Sequence, residues 1–268
     1  MPIPKIVGIV NITEDSFSDG GAYLAADAAI THANQLIADG ADIIELGPAS
    51  SHPESKAVAD EVQIARLAPV LAALGDTGVP VSVDAARPAV QRFAIEQRAA
   101  FINDIQGFPD PGTYRDLAVS GCSLVLMHSV VSGERAGYVD TDPEAIVDTI
   151  TAFLEQRCSA LIEAGVDREK IIVDPGMGFF LGTNPETSLT ALRGLRDIKS
   201  RLGLPMMVCV SRKSFLQRLS GKQARDAGAA SLAAEMFAAD EGADYIRTHD
   251  VAALRDALTV RAALTESA

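Results

Sequence analysis

The chain has no tryptophan and only 5% aromatic residues, so its core must be packed from aliphatic side chains and alanine. Its three cysteines, Cys122, Cys158 and Cys209, are isolated and never in Cys-x-x-Cys spacing. That pattern excludes a disulfide scaffold and reads as reduced, buried thiols of a cytoplasmic protein. His32, His52, His128 and His249 show no metal-ligand spacing. Basic residues number 23 against 36 acidic ones, a net charge of −13. A nucleic-acid or anionic-membrane partner is therefore not expected, although a small anionic substrate is not excluded. No apolar run is long enough to span a bilayer, and no signal peptide precedes the strand pattern at Lys5. Also missing are a Gly-x-Ser-x-Gly elbow and a Walker A loop, and Gly176-Met177-Gly178 lacks the third glycine of a dinucleotide fingerprint. Hydrolase and dinucleotide-binding readings lose their support.

What is present is a repeated strand-then-helix pattern. Apolar runs predict strands at 5–11, 42–47, 81–84, 101–105, 124–127, 171–174, 206–210 and 245–247. Helical periodicity predicts helices at 26–39, 58–74, 87–97, 111–120, 142–164, 186–202, 214–219, 228–239 and 252–264. Asp142-Pro143 supplies an N-cap and a proline at the first helical position, and Gly40 closes the first helix. A doubly wound sheet also alternates. Eight units without a linker in 268 residues instead predict an α/β TIM barrel in one domain, residues 1–268.

In such a barrel the C-terminal strand ends share one face, and that face carries the active site. Here those ends hold Asn11, Glu45, Asp84, Asn103, His128, Asp174, Ser211 with Lys213, and Arg247 with His249. An Asp or Ser after a strand often does no more than cap the next helix, but Lys213 and Arg247 cannot cap an N-terminus. Ser211-Arg212-Lys213-Ser214 opens a helix, where free N–H groups favour an anion. Asp174 stands at the tip of a hydrophobic strand, before Pro175-Gly176-Met177-Gly178-Phe179-Phe180-Leu181-Gly182. The phenylalanines there either pack under a helix or wall a flat polar ligand. The polar stretch from Asn11 to Gly21 suits a lid.

At this point the sequence resembles dihydropteroate synthase, in order and over essentially its whole length. The matching motifs are the stretch from Asn11 to Gly21, Gly40-Ala41-Asp42-Ile43-Ile44, Val81-Ser82-Val83-Asp84, Asn103-Asp104-Ile105, Met127-His128, Asp174-Pro175-Gly176, Ser211-Arg212-Lys213-Ser214 and Arg247-Thr248-His249-Asp250. The resemblance implies a transferase joining p-aminobenzoate to 6-hydroxymethyl-7,8-dihydropterin diphosphate with Mg²⁺ assistance, acting as a homodimer. By the same resemblance, Asp84, Asn103, Ile105, Met127, Asp174 and Lys213 bind the pterin, with Asp84 and Lys213 catalytic. Ser50, Ser51, Pro53, Phe179, Phe180 and Ser214 border p-aminobenzoate. Asn11, Arg247 and His249 take the diphosphate, and Asn11 also meets the metal.

Three departures stand out. The second loop reads Ser50-Ser51-His52-Pro53-Glu54 where family members carry Ser-Thr-Arg-Pro-Gly. Ala85-Ala86 replace Thr-Ser, and about two residues, Phe180-Leu181, are added after strand six. This combination is similar to the plasmid-type sulfonamide-resistant members, so sulfonamide insensitivity is expected. A corrinoid-dependent pterin methyltransferase domain shares the pterin grip, but the Ser-Arg-Lys-Ser helix start and the first loop favour the synthase. A non-catalytic pterin-binding barrel is the alternative from outside the enzymes.

Overall fold

The computed structural model describes residues 2–13 and 21–265, so the expected lid falls largely outside the described residues, at 14–20. The strands are β1 (Lys5–Asn11), β2 (Ile43–Gly47), β3 (Val81–Asp84), β4 (Phe101–Asp104), β5 (Ser123–Met127), β6 (Ile171–Asp174), β7 (Met207–Val208) and β8 (Tyr245–Thr248). Between and after them run α1 (Gly21–Ala38), α2 (Asp60–Leu74), α3 (Pro88–Glu96), α4 (Tyr114–Ser120), α5 (Ile146–Glu163), α6 (Pro185–Arg193), α7 (Leu195–Leu202), α8 (Ser214–Ser220), α9 (Gly228–Asp240) and α10 (Val251–Thr265). All ladders are parallel, in the order β6-β5-β4-β3-β2-β1-β8-β7. A single bridge, Val173 to Met206, joins the two ends and closes the eight strands into the expected barrel.

Strand parity sorts the core, because successive side chains point to opposite faces. Ile6, Ile44, Val83, Ile102, Leu124, Val173, Val208 and Ile246 face outward into the large cluster shared with the helices. Val7, Ile43, Val125, Ile172 and Met207, with Phe101 and Tyr245, form a separate apolar plug inside the barrel. Two residues further along four of the strands the interior turns polar: Glu45, Asn103, Asp174 and Arg247 follow Ile43, Phe101, Ile172 and Tyr245, whereas Ile9, Met127 and Cys209 follow Val7, Val125 and Met207. The apolar plug therefore floors a polar chamber that opens at the C-terminal strand ends.

The structure corrects several expected boundaries. Asp142 caps only a turn, its Oδ1 accepting the Glu144 N–H at 2.9 Å, and α5 starts at Ile146. The helix expected over 186–202 is two, meeting at Gly194, where an added Cβ would lie 2.7 Å from Val147 Cγ2 on α5. β7 is two residues long rather than five, because its ladder to β8 holds only Met207 to Tyr245 and Val208 to Ile246. No helix among the described residues is long and apolar enough to cross a membrane.

Candidate active site

The chamber is organised by one buried cation. Arg247 reaches in from β8, its Nε paired with Glu45 Oε1 from β2 and its Nη2 3.3 Å from Asp84 Oδ2 at the end of β3. Glu45 is wholly buried and also accepts from Ser82 Oγ at 3.0 Å and from Asn103 Nδ2 at 3.3 Å. Burial works against the charge of Arg247, yet Glu45, Cys209, Asp84 and Asp174 hold its pKa above the ordinary value. Asp84 responds oppositely. Burial, reinforced by Glu45, pushes its carboxyl up to about 6 in spite of Arg247 and Lys213. Asn103 Oδ1 is buried without a partner, an acceptor waiting for a donor.

Asp174 is held by its own loop. Its Oδ1 accepts the Gly176 N–H at 2.7 Å, and its backbone carbonyl accepts the His128 N–H at 2.9 Å. Gly176 has φ +71, and a Cβ there would stand 2.3 Å from the His128 carbonyl oxygen, so the turn accepts glycine alone. His128 lies 3.2 Å from the Pro175 carbonyl through Nδ1 and meets Phe153 edge to face at 5.2 Å. Burial lowers its pKa to about 4, and its contacts make it a support for this loop. Burial likewise raises Asp174 to about 6, against the Gly176 N–H, Lys213 and Arg247.

Above the chamber lies an open cavity of about 640 Å³. Asn11, Ser50, Ser51, Pro53, Asp84, Phe179, Phe180, Lys213, Ser214, Arg247 and His249 all line it, so most of the residues singled out in the sequence meet here. Asn103, Ile105, Met127 and Asp174 do not line it and are buried. Part of the reason is Phe180, which packs with Ile105, Met127 and Ala136 while its face receives Lys213 Nζ at 4.8 Å. Phe180 thus stands between the cavity and two of the expected pterin contacts. Phe179, half-buried, is boxed edge to face by His52 at 5.9 Å and Tyr138 at 5.1 Å.

Sequence reasoning missed Tyr138, whose hydroxyl also donates to Glu54 Oε1 at 3.1 Å. The available signal was an aromatic residue in a polar, glycine-containing loop. It marked Glu45 as a strand-end acid without finding its partner. For a metal, no group of three His, Cys, Asp or Glu side chains converges among the described residues. Asn11, exposed at the end of β1, offers one neutral oxygen. A Mg²⁺ ion held by one or two protein groups and substrate phosphates needs no more than that, so the donor set fits a substrate-borne ion.

Comparison with known proteins supplies the family. A family model described as "Pterin binding enzyme" matches residues 7–249. Dihydropteroate synthase type-3 of Escherichia coli is 54% identical over 260 residues, covering 97% of this chain and 99% of that protein. The structure of Xanthomonas albilineans dihydropteroate synthase with 4-aminobenzoic acid is similar at TM-score 0.90 and 36% identity, covering 99% of this chain and 94% of that one. The same enzyme in complex with 7,8-dihydropteroate is similar at TM-score 0.85 and 35% identity, with the same coverage.

Proposed function

The chain belongs to the dihydropteroate synthases, the pterin-binding enzymes of folate synthesis, and from that premise we propose the roles of its residues. The reaction joins 6-hydroxymethyl-7,8-dihydropterin diphosphate to p-aminobenzoate and gives 7,8-dihydropteroate and diphosphate. One C–O bond breaks, one C–N bond forms, and the amine sheds a proton. The observation that carries the assignment of roles is the convergence of Asp84, Lys213, Arg247, His249 and Ser214 on one cavity above a buried Asp174 and Asn103.

In this reading Asp174 accepts from the pterin's amino-pyrimidine donors, since a carboxylate can take two parallel hydrogen bonds. Asn103 Oδ1 gains there the donor it lacks, and Ile105 and Met127 flank the ring. Lys213 borders the same ring, and reaching it requires Phe180 to yield its place beside Ile105 and Met127. Asp84 stabilises positive charge on the pterin methylene as the diphosphate departs, an electrostatic effect strongest in the transition state. Arg247, His249 and Asn11 receive the diphosphate, and Ser214 at the start of α8 meets the p-aminobenzoate carboxylate. A Mg²⁺ ion bound there with Asn11 would neutralise the leaving group. Substitution proceeds with diphosphate leaving first, so the aromatic amine needs no strong base.

We further propose that the enzyme is insensitive to sulfonamides. These drugs mimic p-aminobenzoate but extend past its carboxylate, and Phe179 and Phe180 line the same cavity as Ser50, Ser51 and Pro53. An obstruction costing the drug ~1.4 kcal/mol more than the substrate gives tenfold discrimination. Its action in the cytoplasm as a homodimer belongs to the same proposal. Complementation of a strain lacking dihydropteroate synthase, with and without sulfonamide, tests both parts. Growth under both conditions is expected; growth only without drug would retain the synthase and remove the insensitivity.

A further inference from the structure

Phe180 is buried, so its place in the cavity wall is set by the core around it. Phe179 is only half-buried, and a wall built from a ring that can change rotamer excludes little. What fixes Phe179 is a pair of flanking rings. His52 and Tyr138 meet it edge to face, with interplanar angles of 85° and 84°.

The two flanking rings are themselves joined through one residue. The Glu54 backbone N–H donates to His52 Nδ1 at 3.2 Å, and Glu54 Oε1 accepts the Tyr138 hydroxyl at 3.1 Å. His52, Phe179, Tyr138 and Glu54, from the loops after β2, β5 and β6, thus make a closed ring of contacts. Two of its members stand where the second loop departs from the family pattern: His52 for Arg and Glu54 for Gly. A glycine at position 54 has no side-chain oxygen to receive the Tyr138 hydroxyl. Phe179 itself precedes the added Phe180-Leu181. Departures far apart in the sequence therefore meet in one contact set.

Tyr138 is 56% exposed and does not line the cavity, so it reaches the site only through Phe179. Its backbone is nevertheless fixed on both sides. The Ala136 N–H donates to the Ser51 carbonyl at 3.0 Å, and the Val139 carbonyl accepts the Thr183 N–H at 2.8 Å. Arg87 strengthens the tie to the second loop, bridging Asp60 at 3.1 Å and Glu134 at 2.6 Å. The segment after β5 is in this way strapped across the mouth, from the loop with Ser51 and Pro53 to the loop with Phe179.

We propose that Tyr138 and Glu54 are positioning residues that, with His52, hold Phe179 at the cavity rim and set the discrimination between p-aminobenzoate and longer sulfonamides. The proposal rests on the reading of Phe179 and Phe180 as the obstruction, and names what keeps that obstruction in place. A wall rejects the larger ligand only if it cannot swing aside.

The test is the ratio of the sulfamethoxazole Ki to the p-aminobenzoate KM, measured from initial rates of the whole enzyme. Tyr138→Leu should lower it about tenfold, the discrimination assigned to the obstruction, with kcat and the KM for pterin diphosphate unchanged. Glu54→Ala should lower the ratio in the same direction, whereas Glu54→Gln, whose amide oxygen still accepts, should keep the parent's value. Sulfanilamide, which lacks the extension, should respond little. Phe179→Leu should lower the ratio at least as far, and adding Tyr138→Leu to it should change nothing more. A parental ratio in Tyr138→Leu beside a lowered one in Phe179→Leu overturns the proposal and leaves the obstruction standing. A parental ratio in Phe179→Leu as well removes the obstruction, and the proposal with it. Equal effects of Tyr138→Leu with and without Phe179 overturn the route through that ring. A fall in kcat or pterin affinity as large as the fall in the ratio overturns the positioning role too.

Discussion

Replacing Arg247 by methionine removes a charge and keeps most of the side-chain length. The guanidinium is the counterion of a wholly buried Glu45 and lies 3.3 Å from Asp84, and its own side chain is 12% exposed. Taking away one partner of such a pair costs ~3–5 kcal/mol, because the other charge stays buried without compensation. For a chain of this size that lowers Tm by roughly 6–20 °C. Glu45→Met should cost a similar amount by stranding the guanidinium. The double variant behaves differently. With both charges gone, an apolar replacement of the pair is typically neutral or stabilising by about 1–4 kcal/mol. Ser82 and Asn103 lose their acceptor in it, at ~1 kcal/mol each, so recovery should be large but incomplete. Asp84, already raised to about 6, rises further without Arg247 and adds little as a neutral acid. Calorimetric melts of the four proteins form a double-mutant cycle with a coupling of ~2 kcal/mol or more. A double variant no more stable than either single one would refute the claim that the polar chamber is held together by this pair. All three variants should be inactive, since in the proposed reading Arg247 receives the leaving group.

Other expectations follow from single residues. Deleting Phe180 and Leu181 should restore sulfonamide inhibition by at least tenfold in IC50, about 1.4 kcal/mol; a folded variant as insensitive as the parent would count against the proposed obstruction. Asp84→Asn should cut kcat more than it weakens pterin binding, and equal losses measured side by side would remove its transition-state role. Gly176→Ala places a Cβ 2.3 Å from the His128 carbonyl at φ +71, so a loss of ~2–3 kcal/mol is expected in denaturant melts. Asp104 is wholly buried and burial raises it to about 7, so the folded chain holds a proton there that the unfolded chain releases near 3.8. That group's stabilising contribution is full below the lower value and declines by about 1.4 kcal/mol per pH unit until the higher one is reached. Asp104→Asn should therefore become progressively more stable relative to the wild type between these values; a constant difference across the window would contradict the shift.

Strand parity was legible because period two survives in short stretches. Val7, Ile9, Asn11 and Tyr245, Arg247, His249 each step from the barrel floor to its mouth, and the sequence shows both ladders directly. Asp174 was legible for the same reason, standing two residues after Ile172. What the sequence hides is partnership across the barrel. Nothing local in Glu45 announces Arg247, and Glu235 reads as one polar residue in an alanine-rich helix until the fold sets it in one small pocket with Ser211 and Thr248. Phe180 was equally ambiguous. It is packed against Ile105 and Met127 and at the same time borders the cavity, a double role that hydrophobicity alone cannot assign. The short β7 and the break at Gly194 escaped because both depend on neighbouring elements: the ladder to β8 in one case, the approach of α5 in the other.

The barrel closes between β6 and β7 through one bridge, whereas its other strand pairs share ladders of two to five residues. The loops that leave those two strands carry Phe179-Phe180-Leu181 and Ser211-Arg212-Lys213-Ser214, and both border the cavity. A length change in a loop is resisted by whatever registers the strands on either side of it. At this seam there is least to resist, so residues can be added next to the chemistry while the ladders elsewhere keep their alignment. In the proposed reading the site is in this way refitted against an inhibitor by changing length at one place, while Asp84 and Asn103, paired on strands away from the seam, keep their positions.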